Sequence, residues 1–329
     1  LSLTEPKGEN GYYPPSHTNQ NTERNDFMHF NDREEIIALT PQWKGERLPD
    51  GRPKVEEKYL KALKNLTLEE VWKPIFVKGY ESQFEGRLHT IHDDGRKLIG
   101  RAVTASYCPY RPDLDEVTKE IGKSEGRTGT YNQWIIDNLM EYDVPVIDMY
   151  DKIYKGTFLG GNLTTALKNK TKNENGGAVI WGGIRDTEQM KRVENTQVYY
   201  RGIDPTPIRD FIITDYNRPV KIGNAICLPG DVVFGAGGGV LFIPAHLVEE
   251  VVGGAAKTQV KDLFGFEMIA QNKFTTAQID KNTWTKEMLD LLMEFIKTDD
   301  RAAQYRDLDW STEYDLAING DPNDTQSAL

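Results

Sequence analysis

Gly176-Gly177-Ala178-Val179-Ile180-Trp181-Gly182-Gly183-Ile184-Arg185-Asp186 is the segment around which the rest of the chain is organised. Residues 178–181 form a short apolar run with the character of a buried strand. Two glycines follow, then a cation and an anion side by side. Upstream lies a second glycine turn, Gly160-Gly161-Asn162-Leu163, which leads into a helix beginning near Asn162. Glycine lets backbone N–H groups approach a ligand closely. Arg185 can grip a carboxylate with a planar fork, and Asp186 can hold a hard cation such as Mg²⁺ through oxygen. Together these residues predict a small anionic substrate clamped beside a divalent metal.

The flanking sequence supplies neighbours for this segment. Residues 98–107 and 144–149 read as strands, and 198–201 as extended chain. Thr67-Leu68-Glu69-Glu70 is a capping-box sequence that opens a helix through Val71, Trp72, Ile75 and Phe76. Residues 132–142 carry Trp134, Ile135, Leu139 and Met140 as the apolar set of a helix, and 187–193 read as a short one. Beyond Pro219 the texture is β, with turns at Gly223-Asn224 and Pro229-Gly230-Asp231. Strands over 232–234 and 240–243 are joined through Gly235 to Gly239. That glycine run is a hairpin turn and not a dinucleotide loop, because Val240 occupies the third glycine's place and a strand follows. Pro244 and Ala245 open a helix, and residues 284–297 form an amphipathic one with Met288, Leu291, Leu292 and Phe295 at helical spacing.

The 329 residues carry a net charge of −11. That balance argues against sequence-blind nucleic-acid binding, which needs a basic face, and against an anionic membrane surface. No apolar run approaches the roughly 20 residues of a spanning helix. The expected partner is a small anionic molecule, with no nucleic acid and no membrane. Cys108 and Cys227 lie in strand-like runs outside any Cys-x-x-Cys pair, and buried free thiols suit them better than a bridge. Residues 1–55 lack periodicity but hold Tyr12, Tyr13, Phe27, Phe30 and Trp43 among prolines. They read as an arm lying on the domain or on a neighbouring subunit. The polar, acidic stretch beyond about residue 300 reads as a tail or a second docking arm. A start at Leu1 fits a removed targeting segment or a trimmed chain, and leaves the compartment open, export included.

Gly100-Arg101-Ala102-Val103-Thr104, the Gly160 turn, Trp181-Gly182-Gly183-Ile184-Arg185-Asp186, Pro219-Val220-Lys221-Ile222-Gly223, Pro229-Gly230-Asp231-Val232-Val233, Ile243-Pro244 and Glu249-Glu250-Val251 occur in an order that resembles the RraA-like family. That family is named for a regulator of ribonuclease activity. It includes class II aldolases acting on 4-hydroxy-4-methyl-2-oxoglutarate and 4-carboxy-4-hydroxy-2-oxoadipate. The resemblance spans residues 65 to 255 or so. It implies an α/β fold, a swivelling β/β/α-type sandwich with N- and C-terminal extensions, assembled as a homotrimer or hexamer. On this basis the chain divides into an arm (1–55), a catalytic core (56–260) and a C-terminal helical extension and tail (261–329). The resemblance also implies that backbone amides at Gly160, Gly161, Asn162 and Leu163 bind a pyruvate-like carboxylate. Arg185 would bind the keto acid and steady its enolate. Asp186 would hold Mg²⁺ or Mn²⁺ partly through water, with Glu188 as a further acid at the metal. The implied activity is a metal-dependent aldolase- or decarboxylase-type lyase on a small 2-oxo or hydroxy acid, with oxaloacetate decarboxylation as a side activity. Two positions depart from the aldolases. They carry an acid after the glycine of the first turn, where this chain has Gly161 and then Asn162. They also carry an acid three residues after the aspartate, where Gln189 stands, with Glu188 one place early. The proton carrier is therefore unassigned.

Plainer readings compete with these. Asp186 and Gln189 have capping-box spacing, and Asn162 is a good N-cap. His89 and His92 have the types of metal ligands, but suit a strand end leading to the Asp93-Asp94-Gly95 turn better. Glu81, Gln83 and Glu85 alternate, as a pocket mouth or, more simply, a solvated strand face. No Ser-His-Asp grouping and no desolvated lysine stands out, which favours metal-assisted enolate chemistry over covalent catalysis. Two other functions stay in view: a non-enzymatic binding or regulatory protein on the same scaffold, and a lyase for an oxidised sugar.

Overall fold

The computed structural model describes residues 30–320, so Tyr12, Tyr13 and Phe27 of the arm lie outside the described residues. Two short strands, β1 (Phe84–Glu85) and β2 (His89–Thr90), precede the long β3 (Leu98–Pro109). Then come β4 (Asp143–Asp148), β5 (Thr157–Leu159), β6 (Gly176–Ile184), β7 (Thr196–Ile203) and β8 (Phe211–Tyr216). Two hairpins complete the set, β9 (Val220–Ile222) with β10 (Ala225–Cys227), and β11 (Val232–Ala236) with β12 (Gly239–Ile243). Helices α1 (Arg33–Leu39), α2 (Glu57–Leu63) and α3 (Leu68–Phe76) come before β1. Helices α4 (Pro112–Ser124) and α5 (Tyr131–Ile136) lie between β3 and β4; α6 (Gly161–Thr171) joins β5 to β6, and α7 (Thr187–Lys191) joins β6 to β7. After β12 come α8 (Val248–Ala270), α9 (Thr276–Ile279), α10 (Lys286–Thr298) and α11 (Ser311–Asn319).

The main sheet runs β1-β12-β11-β3-β4-β6-β7-β2, with β5 beside β6 and β8 beside β3. Strands β3, β4, β6 and β7 are parallel and are laid down in sequence order across the sheet. Right-handed crossovers in one direction put their helices on one face. Period-two alternation in β3 shows the result. Val103 and Ala105 face a core shared with α4, α5 and α6, and Ile99 faces one shared with α2, α3 and α8. Leu98 and Ala102 point the other way, into a core covered by the β9–β10 hairpin. The layers are helix, sheet and hairpin, a mixed α/β sandwich.

Several elements differ from the sequence expectation. Gly182 and Gly183 do not form a turn; β6 continues through them to Ile184. A Cβ on Gly182 would lie 2.6 Å from the Met149 Cβ, and one on Gly183 would lie 2.9 Å from the Ile153 carbonyl oxygen. The glycines admit the loop after β4. The helix expected over 132–142 stops at Ile136, because the Asp143 carboxylate accepts the Met140 N–H at 2.8 Å and turns the chain into β4. Helix α4 and strands β5 and β8 were not expected. The stretch beyond residue 300 is no free tail as far as it is described: Ala302 and Trp310 are buried with Phe264, Leu289 and Leu292. Helix α8 runs unbroken through residues 260 and 261.

The described part of the arm lies on its own chain. Phe30 packs beside Trp134. Arg52 is 1% exposed and grips Asp143 with two bonds of 2.8 and 2.9 Å, with Asp50 completing the cluster. Cys108 and Cys227 are free thiols, the second buried, the first partly exposed. Gln83 and Glu85 are buried rather than solvated. They tie the β9–β10 hairpin down, Gln83 through the Ile226 carbonyl and Glu85 through the Asn224 N–H. The Arg87 guanidinium holds the Glu85 carboxyl down at about 2. Among the described residues no helix is long and apolar enough to cross a membrane.

Candidate functional site

Strand β5 ends beside the end of β6, where the Arg185 N–H donates to the Leu159 carbonyl at 3.0 Å. Ligands of parallel sheets sit beyond these carboxyl ends. Two short-range decisions meet there. Gly160 caps α6 in extended conformation, so the amides of Gly161, Asn162 and Leu163 form a first turn without intrahelical acceptors. Asp186 adopts φ 55°, a left-handed conformation that Asp tolerates better than most residues, and opens α7. Its side chain does not cap α7. It reaches across instead and accepts the Gly161 N–H at 3.3 Å through Oδ2. The same oxygen faces Arg185 Nε at 3.6 Å, a loose pair in which the side chains are 40% and 35% exposed.

Gly160 is needed for this approach. A Cβ there would lie 2.5 Å from Asp186 Oδ2 and 3.2 Å from Arg185 Nε. A Cβ on Gly161 would lie 2.3 Å from Gln189 Oε1. The site is thus two bare glycines with an acid, a guanidinium and an amide lying on them. Around it opens a recess of about 260 Å³, lined by Gly160, Asn162, Leu163, Arg185, Asp186 and Gln189, with Thr130, Asn132, Gln133, Thr157, Phe158, Pro207 and Ile208 completing the wall.

Gly160, Asn162, Leu163, Arg185 and Asp186 therefore share one recess, and Gly161 joins them through its amide. Glu188 does not line it; both Glu188 and Gln189 are exposed on the first turn of α7, and it is Gln189 that borders the recess. The far wall was missed. Its sequence signal is the Thr130-Tyr131-Asn132-Gln133 capping box of α5. His89 lies on an exposed sheet edge near the Tyr200 ring, and His92 follows it, its N–H bonded to Gln197.

The fit to a divalent cation can be judged from the donors. Among the described residues no group of three or more His, Cys, Asp or Glu is placed to hold a metal. The recess offers one carboxylate, which makes its contacts through Oδ2. That donor set suits Mg²⁺ or Mn²⁺ kept mostly in water and substrate oxygens, and does not suit a cage of protein ligands. An anion has the better-defined seat, at the first turn of α6 beside Arg185.

A larger recess of about 990 Å³ lies elsewhere, between residues 42–59, from the end of the arm into α2, and the start of α8. Several of its charges are paired: Glu46 with Lys54, Glu56 with Lys58, and Glu57 with Lys61 and the Tyr142 hydroxyl. Arg101 at its floor gives its N–H groups to the Val55 and Glu141 carbonyls.

The sequence profile of the RraA-like family, described as Aldolase/RraA, matches residues 75–242. The chain belongs to the RraA-like family. Protein DlpA of Legionella pneumophila is 31% identical over 172 residues, which are 51% of this chain and 25% of that protein. The chain thus spans about a quarter of the length of that curated relative. Among solved structures, Streptomyces coelicolor RraAS2, an unusual member of the RNase ES inhibitor RraA family, superposes with TM-score 0.54 at 21% identity, over 67% of this chain and 98% of its own. An uncharacterized protein from Pseudomonas syringae pv. tomato gives 0.53 at 20% identity, over 71% and 98%. These two likenesses carry the fold alone.

Proposed function

We propose that this RraA-like protein is a divalent-metal-dependent carbon–carbon lyase that releases a pyruvate-type enolate from a small 2-oxo acid. The observation that carries the reading is the convergence of Arg185, Asp186 and the first turn of α6 on Gly160, which has no room for a side chain. The Asn162 and Leu163 amides and the Arg185 fork would hold the substrate carboxylate. Asp186 would hold Mg²⁺ or Mn²⁺ through water. Bound there, the cation would supply Lewis-acid polarisation of the 2-oxo oxygen. The bond between C3 and C4 breaks, and its electron pair enters the enolate. The proton of the C4 hydroxyl leaves to water, since Asp186 is the one acid among the described residues that line the recess. Arg185 faces the charge that develops, where a fixed cation is worth most. The enolate then takes a proton at C3 and leaves as pyruvate. Oxaloacetate would pass through the same enolate with loss of CO₂. The active form is proposed to be a homotrimer or hexamer, which light scattering would test.

Arg185→Lys keeps the charge and loses the fork; Asp186→Asn keeps the shape and weakens the metal seat. Both variants should melt as the parent does and lose most pyruvate release in a coupled assay at saturating Mg²⁺. Wild-type turnover in either would sink the reading. One observation favours the other class, a binding or regulatory protein: the absence, among the described residues, of a multi-residue metal cluster. Mn²⁺ uptake followed by electron paramagnetic resonance separates the two, because the lyase must bind the ion and lose it in Asp186→Asn.

A further inference from the structure

We infer that Asn132 is a positioning residue: its side-chain amide holds strand β5, and through β5 it sets the first turn of α6, where the substrate carboxylate is bound. This rests on the lyase reading and deepens it at the same site.

Strand β5 is three residues long and runs straight into Gly160, the cap of α6. It pairs with β6 along one edge, where the Leu159 carbonyl accepts the Arg185 N–H at 3.0 Å. Successive carbonyls of a strand point to opposite edges, so the Phe158 carbonyl points away from β6. Asn132 Nδ2 donates to it at 3.0 Å. A side-chain amide thus makes the bond that a neighbouring strand makes elsewhere in the sheet. Asn132 is 4% exposed and Phe158 is buried, so water does not compete for this carbonyl.

The amide is itself fixed. The Thr130 hydroxyl donates to Asn132 Oδ1 at 2.6 Å, which leaves Nδ2 to face Phe158. Asn132 stands on the first turn of α5, whose start is tied down through Tyr131. The Tyr131 hydroxyl donates to the Asp115 carboxylate at 2.6 Å, and the Tyr131 carbonyl accepts the Tyr107 hydroxyl at 3.2 Å. The carboxylate seat is then framed on three sides. The Thr164 and Thr165 hydroxyls hold the Gly160 and Gly161 carbonyls, each at 2.9 Å; Asp186 accepts the Gly161 N–H; Asn132 holds the strand that leads in. Gly160 is two residues beyond Phe158, so little chain lies between them to absorb a shift. The Asn162 and Leu163 amides would move with it. Asp186 would not, because it stands beyond the end of β6 on α7. Anion binding should therefore depend on Asn132, and metal binding should not.

The test separates the seat from the fold. Asn132→Leu keeps the volume and loses the donor. In the ligand-free full chain, peptides spanning residues 157–164 should exchange their amide protons about tenfold faster, with β3 and β7 unchanged. Oxalate, measured by calorimetry with Mg²⁺, should bind about tenfold more weakly, while Mn²⁺ alone binds within about twofold of the parent. KM for pyruvate release from oxaloacetate should rise more than kcat falls, since the seat holds the carboxylate in ground and transition states alike. Asn132→Asp keeps the shape and the Thr130 bond, and carries the exchange measurement if the leucine variant does not fold. An equal rise across β3 and β7 would make Asn132 a general stabiliser and overturn the inference. Unchanged exchange at 157–164 in both variants would overturn it too. So would a loosened segment with oxalate affinity intact; the lyase reading survives all three results. If the parent itself binds no oxalate, the carboxylate seat falls, and both readings fall with it.

Discussion

Gly160→Ala isolates the geometry of the site from the stability of the fold. The added methyl would lie 2.5 Å from Asp186 Oδ2 and 3.2 Å from the Arg185 Cγ and Nε. Ordinary contact needs about 3.4 Å, so the carboxylate oxygen must retreat by close to 1 Å. The atoms in the way are ends of side chains that are more than a third exposed, and Gly160 has φ −143°, which alanine adopts without strain. The fold should therefore lose under about 1 kcal/mol. Activity should fall much further, since a 1 Å misplacement can cost about 100-fold in rate. The Gly161 N–H would also lose its acceptor, and the α6 end its anchor. Thermal melting and the coupled pyruvate assay are read on the same preparation, with Mn²⁺ affinity as a third measure. An unchanged rate would refute the claim that Asp186 acts from this position. A collapse in melting temperature would refute the claim that the side chains yield.

Arg52→Met should cost roughly 3–5 kcal/mol in urea unfolding, because it strands the buried Asp143 carboxylate; a loss below 1 kcal/mol would show that the arm is dispensable to the core. Asp231 is buried, and burial lifts its carboxyl from 3.8 to about 7 against the Leu228 and Ala245 N–H groups. A raised folded value means stability present below 3.8 and lost as pH rises through 7. Asp231→Asn should therefore gain on the parent between pH 4 and 7, by up to about 4 kcal/mol, and run parallel above; a constant difference across that window would contradict it.

How far the sequence could be read depended on the distance between the residues that decide each element. The Thr67 capping box, the Gly223-Asn224 hairpin and the amphipathic α10 are set by neighbours within a few positions, and each forms where expected. Gly182-Gly183 is a strand because of a loop crossing from residues 149–153, which no local pattern announces. Gln83 and Glu85 are buried because a hairpin more than a hundred residues away needs their polar atoms. At the site, Arg185, Asp186 and the Gly160 turn were legible as a set. Which residue of α7 borders the recess was not: Glu188 and Gln189 are adjacent, and only the seat of α7 against Gly161 selects the amide.

Helix α8 joins two cores that need not open together. At about 1.5 Å per residue, its 23 residues extend over roughly 35 Å. Val248, Val251 and Ala255 belong to the sheet's core, whereas Val260, Phe264 and Met268 belong to the C-terminal one. Just ahead of Ala255, within the half held by the sheet's core, sit Gly253 and Gly254, with no atom nearby that a side chain would touch. Each gives up about 1 kcal/mol of helix propensity, so this half of the rod leans on its packing against the sheet's core. An opening of the C-terminal core that released only the far half of α8 would leave the sheet, α6 and the Arg185 recess in place. Amide protons of α10 and α11 should then exchange ahead of those in β3 and β6, and a common rate for all of them would show that the two cores open as one.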